Sequence, residues 1–179
     1  MNLPNWLTTL RIVLALFCVF FVFFPLPYNN YLVMAAFVMA ALTDSLDGYA
    51  ARVRKEITSF GKFFDPLADK ILIIAVLCSL TVKGFVPKWA VLIICAREVV
   101  VTVLRLIVVK QGVSVGASSY GKIKTFTQIL AVGAYIIRSE FALYMLWAAI
   151  FFTLFSGMDY IYLWVLSRKT MRAGAVKEA

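Results

Sequence analysis

No histidine stands anywhere in the chain, which excludes His-based catalytic triads and His-ligated metal sites. Charge is scarce: 15% of residues are Asp, Glu, Lys or Arg, against about 25% in an ordinary soluble domain. Acids are scarcest, 9 against 18 Lys and Arg, a net charge of +9. The three cysteines, Cys18, Cys78 and Cys95, are far apart in apolar runs, so they read as small buried hydrophobes and not as redox or metal ligands. What is abundant is apolar surface, 63% of the 179 residues. A soluble domain of this size lacks the interior to hide it. Soluble enzyme, disordered chain and disulfide scaffold all fail, and an integral membrane protein remains. At about 20 residues per span plus short loops, the length allows roughly six spans. Residues 1–179 then form one membrane domain with no room for a soluble one. The basic excess points to anionic lipid headgroups and not to nucleic acid.

Six apolar stretches are legible, at 9–25, 31–53, 66–82, 88–110, 125–138 and 141–166. Pro25, Pro27, Tyr28, Asn29 and Asn30 mark one turn, and Lys83, Gly84 and Pro87 another. The first stretch is not expected to be a cleaved leader, because it ends in Phe-Phe-Pro without a small-residue cleavage site. Lys and Arg set the orientation. Arg11, the 52–65 and 110–124 loops and the C-terminal tail hold twelve; the opposite side holds Lys83, Lys88 and Arg138. The expectation is an all-α integral membrane protein with six transmembrane helices, both termini cytoplasmic.

Four of the nine acids, Asp44, Asp47, Asp65 and Asp69, fall within 26 residues. The first pair is spaced i, i+3 and the second i, i+4, so each shares one helix face. The pairs lie at the end of the second span and the start of the third, so they can converge at one depth. Four close carboxylates repel one another and are costly to ionise near lipid. Divalent cations remove that cost, and oxygen-only donors favour Mg²⁺, Mn²⁺ or Ca²⁺. Four carboxylates suit two ions, a recurring device of phosphoryl transfer. Gly48, Ala50 and Ala51 leave room for a bulky ligand, Gly61 allows close backbone approach or positive φ, and Arg52 could grip a phosphate. Solvated charges at a helix end, or the ion pathway of a small cation transporter, would also account for the spacing alone.

Positions 44–69 read DSLDGYAARVRKEITSFGKFFDPLAD, which is D-x2-D-G-x2-A-R-x8-G-x3-D-x3-D without departure. The segment resembles the signature of the CDP-alcohol phosphotransferase family. The resemblance implies a six-helix membrane enzyme, generally dimeric, that transfers a phosphate-containing group from a CDP-linked donor to an alcohol and releases CMP. It implies Asp44, Asp47 and Asp65 as metal ligands, with Asp69 completing the metal site and acting as general base. Gly48, Ala51, Arg52 and Gly61 would line the CDP pocket. The N-terminal N-L-P-N-W-L-T-T-L-R puts Asn5, Thr8 and Arg11 near one face. It is either an N-cap with an interfacial Trp6 or, by resemblance to bacterial phosphatidyl-transferring members, a segment beside the nucleotide.

Arg97 and Glu98 sit near the middle of the fourth stretch, with Arg105 two turns on. Charge at that depth needs a partner or a polar cavity. Glu98 reads as half of an internal ion pair, and one carboxylate cannot neutralise both arginines. The segment GVSVGASSYGKIKT at 112–125 is a near miss to a phosphate-binding loop: Ile123 replaces the required Ser or Thr, and no strand precedes it. Nucleotide hydrolysis is rejected, though Lys122 and Lys124 could still meet a phosphate. R-E-x6-R followed by G-K-x-K-T resembles the phosphatidylglycerophosphate synthase branch of the family, a resemblance over nearly the whole chain. It implies phosphatidyl transfer from CDP-diacylglycerol to glycerol 3-phosphate with Mg²⁺ or Mn²⁺. Arg97, Arg105 and Lys122 are the expected acceptor-phosphate ligands, because that dianion needs several cations. Inositol phosphate, serine or phosphatidylglycerol are the alternative acceptors. Roles for Asp159, Ser156 and Gly157 stay open.

Overall fold

The structure is a computed structural model that describes the backbone of residues 3–24, 29–54, 59–110 and 119–177. Side chains are described for residues 6, 9–24, 29–43, 70–108, 120–162 and 164–165. Six α-helices make up the described chain, without a strand: α1 (Leu3–Phe23), α2 (Asn29–Arg54), α3 (Ser59–Val82), α4 (Lys88–Lys110), α5 (Ser119–Ile136) and α6 (Ala142–Lys177). Each apolar stretch read from the sequence overlaps one helix, in order, although 9–25 and 125–138 run past the helix ends at Phe23 and Ile136. At most other ends the helices outrun the stretches because apolar patterning stops where polar residues begin, whereas backbone hydrogen bonding does not. The difference is largest at α5, which starts at Ser119, and at α6, which runs to Lys177. Lys122 and Lys124, expected in a loop, are therefore helical.

Local chemistry explains several ends. Pro87 precedes α4, where a missing N–H costs nothing, and its carbonyl accepts from Ala90 N at 3.1 Å. Ser139 precedes α6: its hydroxyl accepts from Phe141 N at 3.3 Å and its carbonyl from Ala142 N at 3.1 Å. Asn29 opens α2 and donates its side-chain amide to Phe21 O, which also accepts from Phe24 N, and to Phe24 O, both carbonyls at the end of α1.

The ends of α3 and α5 share one geometry. Phe85 N reaches back to Leu80 O at 3.0 Å, and Ser139 N to Ala134 O at 2.9 Å. Each closes a Schellman turn around a left-handed residue. In α3 that residue is Gly84, φ 79°. In α5 it is Arg138, φ 55°, the one non-glycine residue with positive φ among the described residues. An L side chain held there costs on the order of 1 kcal/mol.

α1 packs on α2 and α3, while α6 packs on α4 and α5; contacts of α5 with α2 and α3, and of α3 with α4, join the two sets. The core they share is built around Ala15, Cys18, Phe37, Val76, Ile94 and Leu146. Small residues such as Ala36, Ala40, Ala90 and Ala149, each at 3% exposure or less, let the backbones approach closely. Trp89 against Trp147 and Tyr120 against Phe155 close the seams of α6 with α4 and α5, at ring separations of 5.1 and 5.0 Å. Large apolar side chains also face outward from every helix, among them Phe20, Leu32, Ile71, Leu92, Phe126 and Phe151. A water-soluble domain does not present such a surface. Ala142–Tyr162 in α6 is the one segment among the described residues both long and apolar enough to cross a membrane by length and composition. Cys18 is buried as expected, but Cys78 is exposed and Cys95 half-buried; all three are free.

Candidate functional site

The acidic segment is split between two helices that touch, α2 and α3. Asp44, Asp47, Gly48, Ala51 and Arg52 lie on the last turns of α2, and Gly61, Asp65 and Asp69 on the first turns of α3. Their side chains lie outside the described residues, as do those of Asn5 and Thr8 on α1. The donor chemistry is still plain: four carboxylates and no imidazole or thiolate suit hard divalent cations. Arg11, which shares the α1 face of Asn5 and Thr8, is buried to 1% exposure.

Immediately after Asp69 the described side chains resume, and they open on a largely buried charge cluster. Its centre is Glu98 of α4, 5% exposed. Lys124 of α5, itself 8% exposed, donates to Glu98 Oε1 at 2.5 Å. Arg97 reaches the same oxygen from 3.3 Å. Lys70 of α3 stands 3.7 Å from Glu98 Oε2 and donates to Thr102 Oγ1. Arg97 also crosses to α6, donating from Nε to Thr153 O at 3.1 Å and from Nη2 to Ser156 Oγ at 2.8 Å. Gln128 of α5 donates to Thr153 Oγ1 at 2.9 Å. The network therefore ties α3, α4, α5 and α6 together.

The charges of the cluster do not balance. Among the described residues, Lys70, Arg97 and Lys124 bring three positive charges to the one carboxylate they share, Glu98, an excess of two. Buried charge is tolerated when it is paired, so this cluster is suited to an anion. Its geometry also depends on Gly157. A Cβ there would stand 3.3 Å from Arg97 Cγ and 3.5 Å from Arg97 Nε. Glycine at 157 is what lets the arginine lie flat against α6 on its way to Ser156.

Of the three expected acceptor ligands, Arg97 belongs to this cluster, whereas Arg105 and Lys122 are exposed. The structure adds Lys70, Lys124, Gln128, Thr153 and Ser156. Lys124 was visible in the sequence as the second lysine of G-K-x-K-T. Only the start of α5 at Ser119 decides that it, and not Lys122, faces the bundle: two residues on a helix turn the side chain by about 200°. Lys70 carried no signal beyond following Asp69.

Comparison with known proteins identifies the class. Residues 1–155 match the CDP-alcohol phosphatidyltransferase family, and the chain belongs to it. It is 38% identical to the CDP-diacylglycerol–glycerol-3-phosphate 3-phosphatidyltransferase of Bacillus subtilis (strain 168), over 89% of this chain and 93% of that one. It is likewise 38% identical to the enzyme of that name from Rickettsia felis, over 89% and 93%. The enzyme of that name from Sodalis glossinidius is 34% identical, over 90% and 94%.

Proposed function

We propose that this chain transfers the phosphatidyl group of CDP-diacylglycerol to glycerol 3-phosphate, giving phosphatidylglycerol phosphate and CMP. Family membership and the names of its relatives support the donor and the reaction. The observation that carries a phosphate-bearing acceptor is the excess of positive charge among the described residues around Glu98, joined to the acidic segment through Lys70, the partly exposed residue after Asp69. Glycerol 3-phosphate is a dianion near neutral pH and matches that excess of two. Serine, which carries no net charge, does not; inositol phosphate would match as well, and the names of the relatives favour glycerol 3-phosphate over it.

The outward apolar side chains of all six helices support a polytopic membrane enzyme. Residues 1–179 act as one domain of six spans, with both termini and the acidic segment at the cytoplasmic face. The basic residues of the 52–65 and 110–124 segments support that orientation. The acyl chains of the donor then stay in lipid while its CDP group enters the bundle beside Gly48, Ala51, Arg52 and Gly61, with Asn5 and Thr8 near the nucleotide.

Asp44, Asp47, Asp65 and Asp69 would hold two divalent ions, Mg²⁺ or Mn²⁺, which neutralise pyrophosphate charge when bound. The chain's own residues do the rest. Arg97, with Lys124 and Lys70 around Glu98, positions the acceptor phosphate, and Arg105 and Lys122 add positive charge at its entry. Asp69 accepts the proton of the primary hydroxyl. The hydroxyl oxygen forms a bond to the phosphorus bearing diacylglycerol, and the bond from that phosphorus to the CMP oxygen breaks. One displacement suffices, with no covalent enzyme intermediate.

The test is CMP release by the detergent-purified protein with CDP-diacylglycerol and Mg²⁺, varying the acceptor. Release only with glycerol 3-phosphate is expected. Release with inositol phosphate, serine or phosphatidylglycerol instead would keep the acidic site and overturn the acceptor assignment. No release from folded protein with any acceptor would favour the cation-transporter reading of the same carboxylates.

A further inference from the structure

At the end of the bundle away from the acidic segment lies a cavity of about 230 Å³. It is bounded by the end of α1, the start of α2 and the ends of α3 and α5. Asn29, at its wall, is 15 positions before Asp44 on α2, about 22 Å at 1.5 Å per residue. The cavity is therefore separate from the transferase site. Lys83 and Arg138 line it together with Asn29, Asn30, Tyr135 and Phe85.

Among the described residues no carboxylate lies within ion-pair distance of either cation, although Glu140 is two positions from Arg138. The adjoining segment 25–28 is Pro-Leu-Pro-Tyr and brings no acid. Lys83 Nζ has a 3.4 Å contact with Phe23 O and lies 5.3 Å from the Phe23 ring. The Arg138 guanidinium sits 4.7 Å from the Phe85 ring. These contacts aim the cations while leaving donors over. Asn29 Oδ1 is buried with no hydrogen-bond partner among the described residues, because its amide is engaged at the end of α1. The cavity thus offers two cations and one waiting acceptor.

Backbone conformation is an independent indication. The two neighbouring Schellman turns differ in their left-handed residue: Gly84 ends α3, as conformation prefers, and Arg138 ends α5. Glycine would be the relaxed choice at 138. An arginine there trades a relaxed backbone for a guanidinium over the Phe85 ring and at the cavity wall.

We propose that this cavity binds a phosphate group, held by Lys83 and Arg138, with a hydroxyl of the same ligand donating to Asn29 Oδ1. Inorganic phosphate or the headgroup of an anionic phospholipid would supply that chemistry. On the membrane orientation above, the cavity opens toward the leaflet opposite the active site, within reach of a headgroup.

The experiment measures the thermal unfolding midpoint of the detergent-purified full chain. The probes are inorganic phosphate, dioctanoyl phosphatidylglycerol and, as the acyl-chain control, uncharged dioctanoylglycerol. The variants are Lys83→Gln, which keeps a donor for Phe23 O, and Arg138→Gly, which relaxes the backbone. Ligand binding to the folded state raises the midpoint. The expected result is a rise with phosphatidylglycerol that is at least halved in both variants, although Arg138→Gly alone is no less stable than wild type. A residual rise shared by all three proteins reflects lipid bound elsewhere. Inorganic phosphate producing the same variant-sensitive rise would support the site and make the free anion its ligand. Equal rises in wild type and both variants would overturn the proposal. So would no rise with either anionic probe, or an equal loss of response to dioctanoylglycerol.

Discussion

Single residues carry the most direct tests. If Asp69 takes the acceptor proton, Asp69→Asn should lower kcat by roughly 100- to 10,000-fold. Binding of CDP-diacylglycerol should be largely retained, as equilibrium binding would show; wild-type turnover would remove Asp69 as base. Gly157 offers a subtler test. Its Cβ position lies 3.3 Å from Arg97 Cγ, so Gly157→Ala must shift the arginine by a few tenths of an ångström, which strains its bond to Ser156. Alanine also favours the helix by about 1 kcal/mol, so little stability is lost. The expected signature is a higher KM for glycerol 3-phosphate with a thermal midpoint close to wild type. A midpoint drop with unchanged KM would mean that Arg97 serves only packing. Neither Gly157 nor Ser156 could be given a role from sequence, because what matters is their distance from a residue about 60 positions earlier, 56 and 59 for the two arginine bonds to α6.

At the scale of elements, the ends of α3 and α5 make opposite predictions from one geometry. Gly84 has φ 79°, and no atom lies within 4 Å of where a Cβ would stand, so Gly84→Ala meets only conformational strain. It should destabilise by about 1 kcal/mol. Arg138→Gly should stabilise by a similar amount, on the order of 1 kcal/mol, by removing the same strain. Denaturation of the two variants beside wild type checks both signs at once. Helix existence and order were readable from apolar runs. The helix starts at Ser59 and Ser119 were not. Polar first turns look like loop in a hydropathy pattern, and only backbone hydrogen bonding extends the helix through them.

On the scale of the whole molecule, the charge distribution is the organising feature. Large apolar side chains face outward from every helix, the charged cluster around Glu98 lies between α3, α4, α5 and α6, and the acidic segment and the Lys83–Arg138 cavity sit at opposite ends. α6 is the extreme case. Its 36 residues reach about 54 Å, well beyond a hydrocarbon core of about 30 Å. Its apolar window, Ala142–Tyr162, is followed by Arg168, Lys169 and Arg172. The four-carboxylate reading also makes a global prediction. Chelation of divalent ions should abolish CMP release, and Mg²⁺ or Mn²⁺ should restore it; full turnover in excess chelator would remove the metal requirement.

The sequence by itself determined the class of this protein, its six helices and the segment 44–69 that marks its family. Those properties are local: apolar run length, i to i+4 spacing and a contiguous motif each survive without knowing where other segments lie. Tertiary structure alone decided that Lys70, Arg97 and Lys124 meet on one carboxylate, that Ser156 holds the arginine, and that Lys83 and Arg138 face one cavity. Those facts depend on how α3, α4, α5 and α6 rotate against one another. Side-chain volumes across the bundle set that rotation, and they leave no periodic trace in any one helix.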